Sequence, residues 1–306
     1  MKTRMHSTLI RLVGLGLLLG ACSAAAPNAQ PTPDPELATE AALDDGFGSF
    51  LEGMVAYDAL RLEPLAAMLT EEPPPFLLDV RQPEEVLAEG HIEGAVLIPV
   101  RDLMKRLDRL PAYDTPIVVY CGSGWRCTIA LPALGALGWT DVAVLKEDSY
   151  RGWVAAGYPT VAGLPPEAGA LDAASPDPAV VARLDRSFSN IPEGWGAVTV
   201  EQFATELAEN PDLVVLDVRT TAEQAENGVI ESDNLIRIPL EELIRRKTEW
   251  PDDKDATIVI HAGTDHRSTI AMSILWSYGY TDVRSLKGGL RAWTAAGYPV
   301  VEAVAP

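Results

Sequence analysis

Residues 117–137 read IVVYCGSGWRCTIALPALGAL. The apolar run Ile117–Tyr120 has the length of a strand, a loop with two glycines follows it, and Thr128–Leu137 has a helical pattern. Nearby segments repeat this alternation, with apolar runs at 76–80 and 142–145 and helical patterns at 83–89 and 101–107. Nearly continuous apolar strands between helices predict an α/β domain with a mostly parallel sheet flanked by helices.

The same unit occurs twice in the chain. Phe50–Arg81 aligns without a gap on Phe188–Arg219 at an offset of 138 residues, and both segments end in LDVR. Further along, the pattern WxAAGYP stands at Trp153–Pro159 and again at Trp293–Pro299. A period of about 140 residues is too long for a solenoid repeat, so the sequence predicts two tandem domains of one fold.

Composition sets the boundaries between these domains and the rest of the chain. Two stretches rich in Ala, Pro and acidic residues cannot bury a core and are expected to be extended. The predicted order is a signal peptide at 1–21, a disordered acylated tether at 22–45, a first domain at 46–162, a linker at 163–185 and a second domain at 186–306.

The amino-terminal segment has the plan of a secretory signal. Basic residues come first, the apolar run Leu12–Leu19 follows, and small residues precede Cys22. The ending LGAC resembles the bacterial lipobox, in which the cysteine is acylated and becomes the first residue of the mature protein. The uncharged stretch at 12–26 is shorter than the roughly 20 residues of a membrane-spanning helix. We therefore expect an exported lipoprotein, held at a membrane surface outside the cytoplasm by a lipid on Cys22.

Charge and cysteine content exclude several classes of protein. Acidic residues number 44 against 24 basic ones, a formal charge of −20, so the overall field does not favour binding to nucleic acid. The three cysteines are too few for a disulfide scaffold and lack the paired spacing of structural zinc sites. His261 and His266 alone make a weak pair of metal ligands. Neither a metal nor a cofactor is expected.

The loop after Ile117–Tyr120 carries the residues with chemistry. Ligands of open α/β sheets bind at the carboxyl ends of the strands, where Cys121 stands. Gly122 and Gly124 let the backbone curl its N–H groups inward, and the following helix start adds positive potential. Arg126 adds a fixed charge. Such a loop lowers the pKa of a cysteine, so Cys121 is predicted to be a thiolate near neutral pH.

Four motifs, in this order, resemble those of rhodanese domains: LDVR at 78–81, GHIEGA at 90–95, CxxGxR at 121–126 and the terminal WxAAGYP. The resemblance extends over both copies. It implies a sulfurtransferase in which Cys121 accepts sulfane sulfur as a persulfide from a small sulfur donor. A thiol or cyanide would then accept that sulfur.

The resemblance also assigns the neighbours of Cys121 and leaves the donor open. Arg126 is expected to supply the charge of the loop, with Gly122, Ser123, Gly124 and Trp125 as substrate-binding residues. The sequence CGSG resembles the loop of mercaptopyruvate enzymes, whereas the position of Arg126 resembles thiosulfate-type loops.

A phosphatase is the related alternative, and loop length argues against it. Four residues separate Cys121 from Arg126, whereas the related cysteine phosphatases have five and so a wider cradle for phosphate. The shorter loop suits a single sulfur atom bound to Cys121.

The second copy keeps the loop without its nucleophile. Ala262 falls at the position of Cys121, and a methyl group cannot form a persulfide. Arg267 matches Arg126, and Asp265 replaces Gly124. The second domain is therefore predicted to be inactive.

Two alternatives stay open at this point. Cys127 is either a small buried residue of the first helical turn or a resolving thiol that attacks the Cys121 persulfide. The whole chain, in turn, is either a sulfurtransferase or a non-catalytic binding or scaffold module at the cell envelope, with a protein partner that the sequence does not identify.

Asp79, Arg81 and His91 are expected to be structural, tying loops together.

Overall fold

The computed structural model describes residues 34–171 and 173–303. Each copy contains one five-stranded sheet in which every pairing is parallel. The first sheet has the order β1-β5-β4-β2-β3, formed by β1 (Ala59–Leu60), β2 (Phe76–Asp79), β3 (Val96–Leu97), β4 (Ile117–Tyr120) and β5 (Val142–Leu145). The second has the equivalent order β6-β10-β9-β7-β8, formed by β6 (Ala197–Val198), β7 (Val214–Asp217), β8 (Leu235–Arg237), β9 (Ile258–His261) and β10 (Val283–Leu286).

In the described part of the chain five helices accompany each sheet, so the predicted α/β architecture with two tandem domains is confirmed. Those of the first copy are α1 (Pro35–Gly53), α2 (Leu62–Met68), α3 (Pro83–Glu89), α4 (Trp125–Ala136) and α5 (Ser149–Ala155). Those of the second are α6 (Pro178–Ser189), α7 (Val200–Glu209), α8 (Thr221–Asn227), α9 (Asp265–Ser277) and α10 (Gly289–Ala295). Short 3₁₀ turns complete the two units, and one of them, Val100–Lys105, replaces most of the helix expected at 101–107.

The two copies share a hydrophobic core on one face of each sheet, and the other face of each sheet has a core of its own. Alternate residues of β2 point to opposite faces of the first sheet, so Leu77 packs with α2 and α5 whereas Leu78 packs with α1 and α4. The second sheet is arranged in the same way, and the core on its α9 face is continuous with the α1 and α4 core of the first copy. Helices α4 and α9 lie in this common core, and most residues of each helix are buried. The Ser273 hydroxyl of α9 donates to the Ile129 carbonyl of α4 at 2.8 Å.

The expected tether at 22–45 is wrong over its last eleven residues. Helix α1 begins at Pro35 and buries Leu43, Phe47 and Leu51, which lie four residues apart and so form one apolar stripe. Asp44 also accepts hydrogen bonds from Lys247 and from the Tyr278 hydroxyl of the second copy. Composition alone concealed this stripe because alanines and acids surround it. The earlier part of the tether lies outside the described residues.

The linker expected at 163–185 is shorter in the structure, for a similar reason. Helix α6 begins at Pro178, and its amino-terminal cap is Asp177, whose carboxylate accepts from the Ala179 N–H at 2.7 Å. Val180 and Leu184 of this helix are buried in the common core. The repeat predicts such a helix, because α6 occupies the position in the second copy that α1 occupies in the first.

In the described part of the chain, no helix is both long and apolar enough to cross a membrane. The predicted signal peptide and Cys22 lie outside the described residues.

The packing of α1 predicts a specific stability difference. Phe47→Ala removes a fully buried ring that lies 6.0 Å from the ring of Tyr278, and should lower the free energy of unfolding by about 3–5 kcal/mol. Leu37→Ala, on the same helix but 66% exposed, should change it by less than about 0.5 kcal/mol. Urea unfolding of both variants measures the contrast. Equal, small effects would show that α1 does not belong to the folded body.

Candidate active site

The loop around Cys121 is held by hydrogen bonds from both of its sides. Strand β4 brings Cys121 to the carboxyl edge of the first sheet, and Gly124, with a φ of +94°, makes the left-handed turn into α4. The Cys121 N–H donates to the Ser149 hydroxyl at 3.1 Å, and the Tyr150 N–H donates to the Cys121 carbonyl at 3.0 Å. The backbone of Cys121 is therefore fixed by the start of α5.

The sulfur of Cys121 is fully buried and yet favours its ionised form. The Gly124 N–H donates to it at 3.2 Å, and the Cys127 thiol lies 3.7 Å away. Burial is the largest single influence on the Cys121 pKa and raises it. The Cys127 thiol, the Arg126 charge and backbone groups of Cys127 and Ser123 together outweigh burial and lower the pKa to about 5. At neutral pH Cys121 is thus a thiolate, the reactive form of a cysteine.

Cys127 is the protonated member of this pair of thiols. Burial, the hydrogen bond to Cys121 and the negative charge on that sulfur raise the pKa of Cys127 well above its ordinary value. Its Sγ lies between the Sγ of Cys121 and the Leu145 carbonyl, at 3.7 Å and 3.9 Å. The residue is both small and buried, as one interpretation of the sequence expected, and in contact with the nucleophile, as the other required.

Arg126, in the first turn of α4, supplies positive charge to the loop and also forms an ion pair. Its guanidinium forms a two-pronged ion pair with Glu85 of α3, with Nη2 2.7 Å from Oε1. Gly122 lies directly beside this group, since a Cβ at Gly122 would be 3.2 Å from Arg126 Nη2 and 3.8 Å from Nη2 of Arg151. A glycine at position 122 therefore allows the two arginine side chains to approach closely. Its backbone conformation is one that other residues also adopt.

Ser149 holds a backbone conformation that serines rarely adopt. Its φ is +50°, and the second copy has Gly289 at the equivalent position with a φ of +60°. Glycine adopts this conformation without strain, whereas a serine pays a free-energy penalty of about 1–3 kcal/mol. The strain places the Ser149 hydroxyl where it accepts the Cys121 N–H.

A turn of the second copy, Glu193–Gly196, covers the mouth of this site. Trp125 donates its ring N–H to the Trp195 carbonyl at 2.8 Å. The Trp195 ring lies over two guanidinium groups, 5.1 Å from that of Arg126 and 4.3 Å from that of Arg101. Trp125 thus lies against a turn of the other copy, and its role in substrate binding stays a prediction.

The second loop is covered in the same way by the first copy. Tyr57, which the offset of 138 places on Trp195, lies 5.0 Å from the guanidinium of Arg267. Its carbonyl bonds to the ring Nε2 of His266 at 2.8 Å, just as the Trp195 carbonyl bonds to Trp125. The two copies therefore exchange equivalent covering turns.

The loop of the second copy keeps the ion pair and has no thiol. Arg267 pairs with Glu223 as Arg126 pairs with Glu85, with 2.7 Å between Nη1 and Oε2. Ala262 is buried in place of Cys121, and Ser268 stands in place of Cys127. The Ser268 hydroxyl contacts the Ser285 hydroxyl at 2.8 Å. The ion pair therefore forms in a loop without cysteine, which marks it as part of the loop framework.

The residues expected to be structural are placed accordingly. The Arg81 guanidinium pairs with Asp79 and donates to the Gly90 carbonyl at 2.7 Å, and both charged side chains are fully buried. His91 is buried, and its ring Nδ1 lies 2.9 Å from the Gly163 carbonyl. These contacts fix the turns at the edge of the sheet without reaching Cys121.

The residues predicted for the loop lie around the Cys121 sulfur, but they differ in how far they are buried. Cys121, Gly122, Gly124, Arg126 and Cys127 are buried, Trp125 is half-buried and the side chain of Ser123 faces solvent. Sequence reasoning missed Glu85, Ser149 and Trp195. The repeat offered a signal for two of these residues, because Glu85 aligns with an acid at 223 and Trp195 with an aromatic residue at 57.

Comparison with known families agrees with this geometry. The model of the rhodanese-like domain matches the chain twice, over residues 62–156 and 199–296, which together make up more than half of it. The chain belongs to the rhodanese-like family and carries two copies of its domain.

Its relatives include proteins named as sulfurtransferases. A sulfurtransferase of Allochromatium vinosum is 33% identical over 101 residues, which cover 33% of this chain and 90% of that protein. The 3-mercaptopyruvate sulfurtransferase of Escherichia coli is 34% identical over 91 residues, 26% of this chain and 32% of that enzyme. The structure of thiosulfate sulfurtransferase from Pseudomonas aeruginosa matches 80% of this chain and 43% of its own, with 25% identity and a TM-score of 0.34. The matches thus span less than half the length of the last two proteins.

The covering turn predicts how fast reagents reach Cys121. Trp195→Ala removes the ring over Arg126 and should raise the rate of Cys121 alkylation by iodoacetamide about tenfold, equivalent to ~1.4 kcal/mol. Tyr57→Ala, the same change over the second loop, is the matched control and should leave that rate as in the unaltered protein. Alkylation is followed by mass spectrometry of the Cys121 peptide. Equal rates in all three proteins would show that Trp195 does not limit access.

Proposed function

We propose that the chain is a sulfurtransferase that carries sulfane sulfur as a persulfide on Cys121. The sulfur comes from thiosulfate or a similar small donor, with mercaptopyruvate as the second candidate, and passes to cyanide or a thiol. The observation that carries the proposal is the Cys121 sulfur itself, a buried thiolate that accepts the Gly124 N–H at 3.2 Å. Membership of the rhodanese-like family and relatives named sulfurtransferases support this class of reaction.

The loop can promote each half of the transfer. The thiolate attacks the sulfane sulfur of the donor, and the leaving group departs as an anion such as sulfite. The N–H groups and the helix start then face the persulfide, whose terminal sulfur carries the charge that the thiolate had. An acceptor nucleophile removes that sulfur and restores the Cys121 thiolate. No external oxidant or reductant enters this cycle.

Two arginines support an anionic donor. Arg126 and Arg151 both reach Gly122, so their guanidinium groups flank the entrance to the loop. Arg126 shares its charge with Glu85, whereas Arg151 is exposed. Thiosulfate and the mercaptopyruvate carboxylate both fit this environment, and the test below separates them.

We propose further that the enzyme works outside the cytoplasm as a lipoprotein. The support is the plan of residues 1–22 and the lipobox-like LGAC before Cys22. Both features lie outside the described residues, so export and acylation stay predictions from sequence.

A binding module is the competing proposal, and the second copy favours it for its own half of the chain. Ala262 removes the nucleophile there, while Arg267 and its ion pair are kept. In the first copy the lowered pKa of Cys121 favours chemistry, because a purely structural cysteine needs no thiolate.

Intact-mass spectrometry tests the proposed reaction. The reduced protein is mixed with thiosulfate, and separately with mercaptopyruvate, without an acceptor. A productive donor should add one sulfur atom to the mass of each chain, or release the same amount of sulfide, measured in the solution, where that sulfur has left again. Cys121→Ser should give neither. Ala262→Ser, the matched change in the second loop, should still react. An unreactive protein with both donors would favour the binding module.

A further inference from the structure

Cys121 and Cys127 form a closed pair of thiols in the active loop. Their sulfurs are 3.7 Å apart, and both side chains are fully buried within the common core. A disulfide needs a separation of about 2.05 Å, so side-chain rotation must bring the two sulfurs about 1.6 Å closer. Both cysteines belong to one short segment, and Cys127 lies in the first turn of α4. The conformation of this segment determines how closely the two sulfurs can approach each other.

We propose that Cys127 is the resolving thiol of the Cys121 persulfide and releases its sulfur as sulfide. This inference rests on the proposed sulfurtransferase function. It names the first acceptor as a residue of the chain itself, so that the product is hydrogen sulfide rather than a transferred sulfane sulfur.

The step balances without an added oxidant. The Cys127 sulfur attacks the Sγ of Cys121, and a bond forms between these two sulfurs. The bond from Cys121 to the sulfane sulfur breaks, and the sulfane sulfur leaves with the electron pair and takes the Cys127 proton. The two cysteines are oxidised to a disulfide while the sulfane sulfur is reduced to sulfide. A dithiol then reduces the disulfide by exchange and restores both thiols.

The burial of the site favours an internal acceptor. An external thiol must pass the turn at Trp195 and the paired guanidinium of Arg126 to reach Cys121. Cys127 needs no such entry, because it already contacts the reacting sulfur. The loop therefore places one acceptor, the Cys127 thiol, on the inner side of the turn at Trp195.

The second copy supplies an internal comparison. It lacks the nucleophile, since Ala262 replaces Cys121, and it also lacks the partner thiol, since Ser268 replaces Cys127. The Ser268 hydroxyl is bound instead to Ser285 and to the Asp265 carbonyl. A serine thus satisfies this position in the fold, so packing alone does not require a thiol at 127.

The protonation of the pair suits the direction of the step. The pKa of Cys121 is lowered and that of Cys127 is raised, so donor sulfur loads on Cys121 first. Once Cys121 carries a persulfide, the negative charge lies on the terminal sulfur and no longer on Sγ. This changes one of the causes that raise the pKa of Cys127, whereas burial, the largest cause, persists.

A peptide-mapping experiment tests the inference, because trypsin cleaves after Arg126, between the two cysteines. The full chain is reduced, freed of reductant and treated without oxygen with thiosulfate, or with mercaptopyruvate, whichever donor loads it. It is then alkylated and digested. The expected result is a disulfide between peptides 110–126 and 127–146, with one sulfide released per chain. Cys127→Ser should instead hold the extra sulfur on peptide 110–126, with sulfide release at least roughly tenfold lower.

The outcomes separate the two proposals. Peptide 110–126 carrying a stable extra sulfur in the unaltered protein, without a link to 127–146, would overturn the resolving role and leave the sulfurtransferase proposal standing. No added sulfur, link or sulfide in the unaltered protein or in Cys127→Ser would overturn both. Cys127→Ala is the second variant, and it should behave like Cys127→Ser if the thiol, rather than a hydrogen bond from position 127, carries the step.

Discussion

A negative charge on a fully buried sulfur is the constraint on which this structure depends. Burial alone raises the pKa of a thiol, so the loop must supply enough donors and positive charge to reverse that effect at Cys121. It does so with the Cys127 thiol, the charge of Arg126 and backbone groups of Cys127 and Ser123. The second copy has Ala262 at the position of Cys121 and Ser268 at that of Cys127, so both thiols are absent from its loop. It keeps the arginine as Arg267, paired with Glu223.

The second copy packs against the helix that follows Cys121. Helices α4 and α9 meet in one core, so α4 is fixed against the second domain. The turn that carries Trp195 then closes the loop, as Tyr57 closes the other. Duplication thus provides two equivalent covering turns, of which the one at Trp195 lies over the loop that contains Cys121.

Much of the fold and the centre of the site could be predicted from sequence, because local pattern determines them. The apolar runs of β2, β4 and β5, the repeat and the CxxGxR loop are read from neighbouring residues. Helix α1 was missed since its stripe at Leu43 and Phe47 is diluted by alanines and acids, and its partners lie in the distant second copy. Trp195 was missed because its partner is also distant in sequence, since its contact with Trp125 joins residues 70 positions apart. Contacts of this kind follow from the packing of the two domains, which the pattern of either one does not contain.

The two thiols of the loop differ in protonation, with Cys121 ionised and Cys127 neutral. A ¹³C NMR titration of the Cβ atoms in protein labelled at cysteine measures this difference, with Cys121→Ser and Cys127→Ser to assign the signals. We expect the Cys121 signal to titrate with a pKa of about 5 and the Cys127 signal to show no titration up to pH 9. Titration of both signals at the ordinary value of a free cysteine, about 8.5, would contradict this difference.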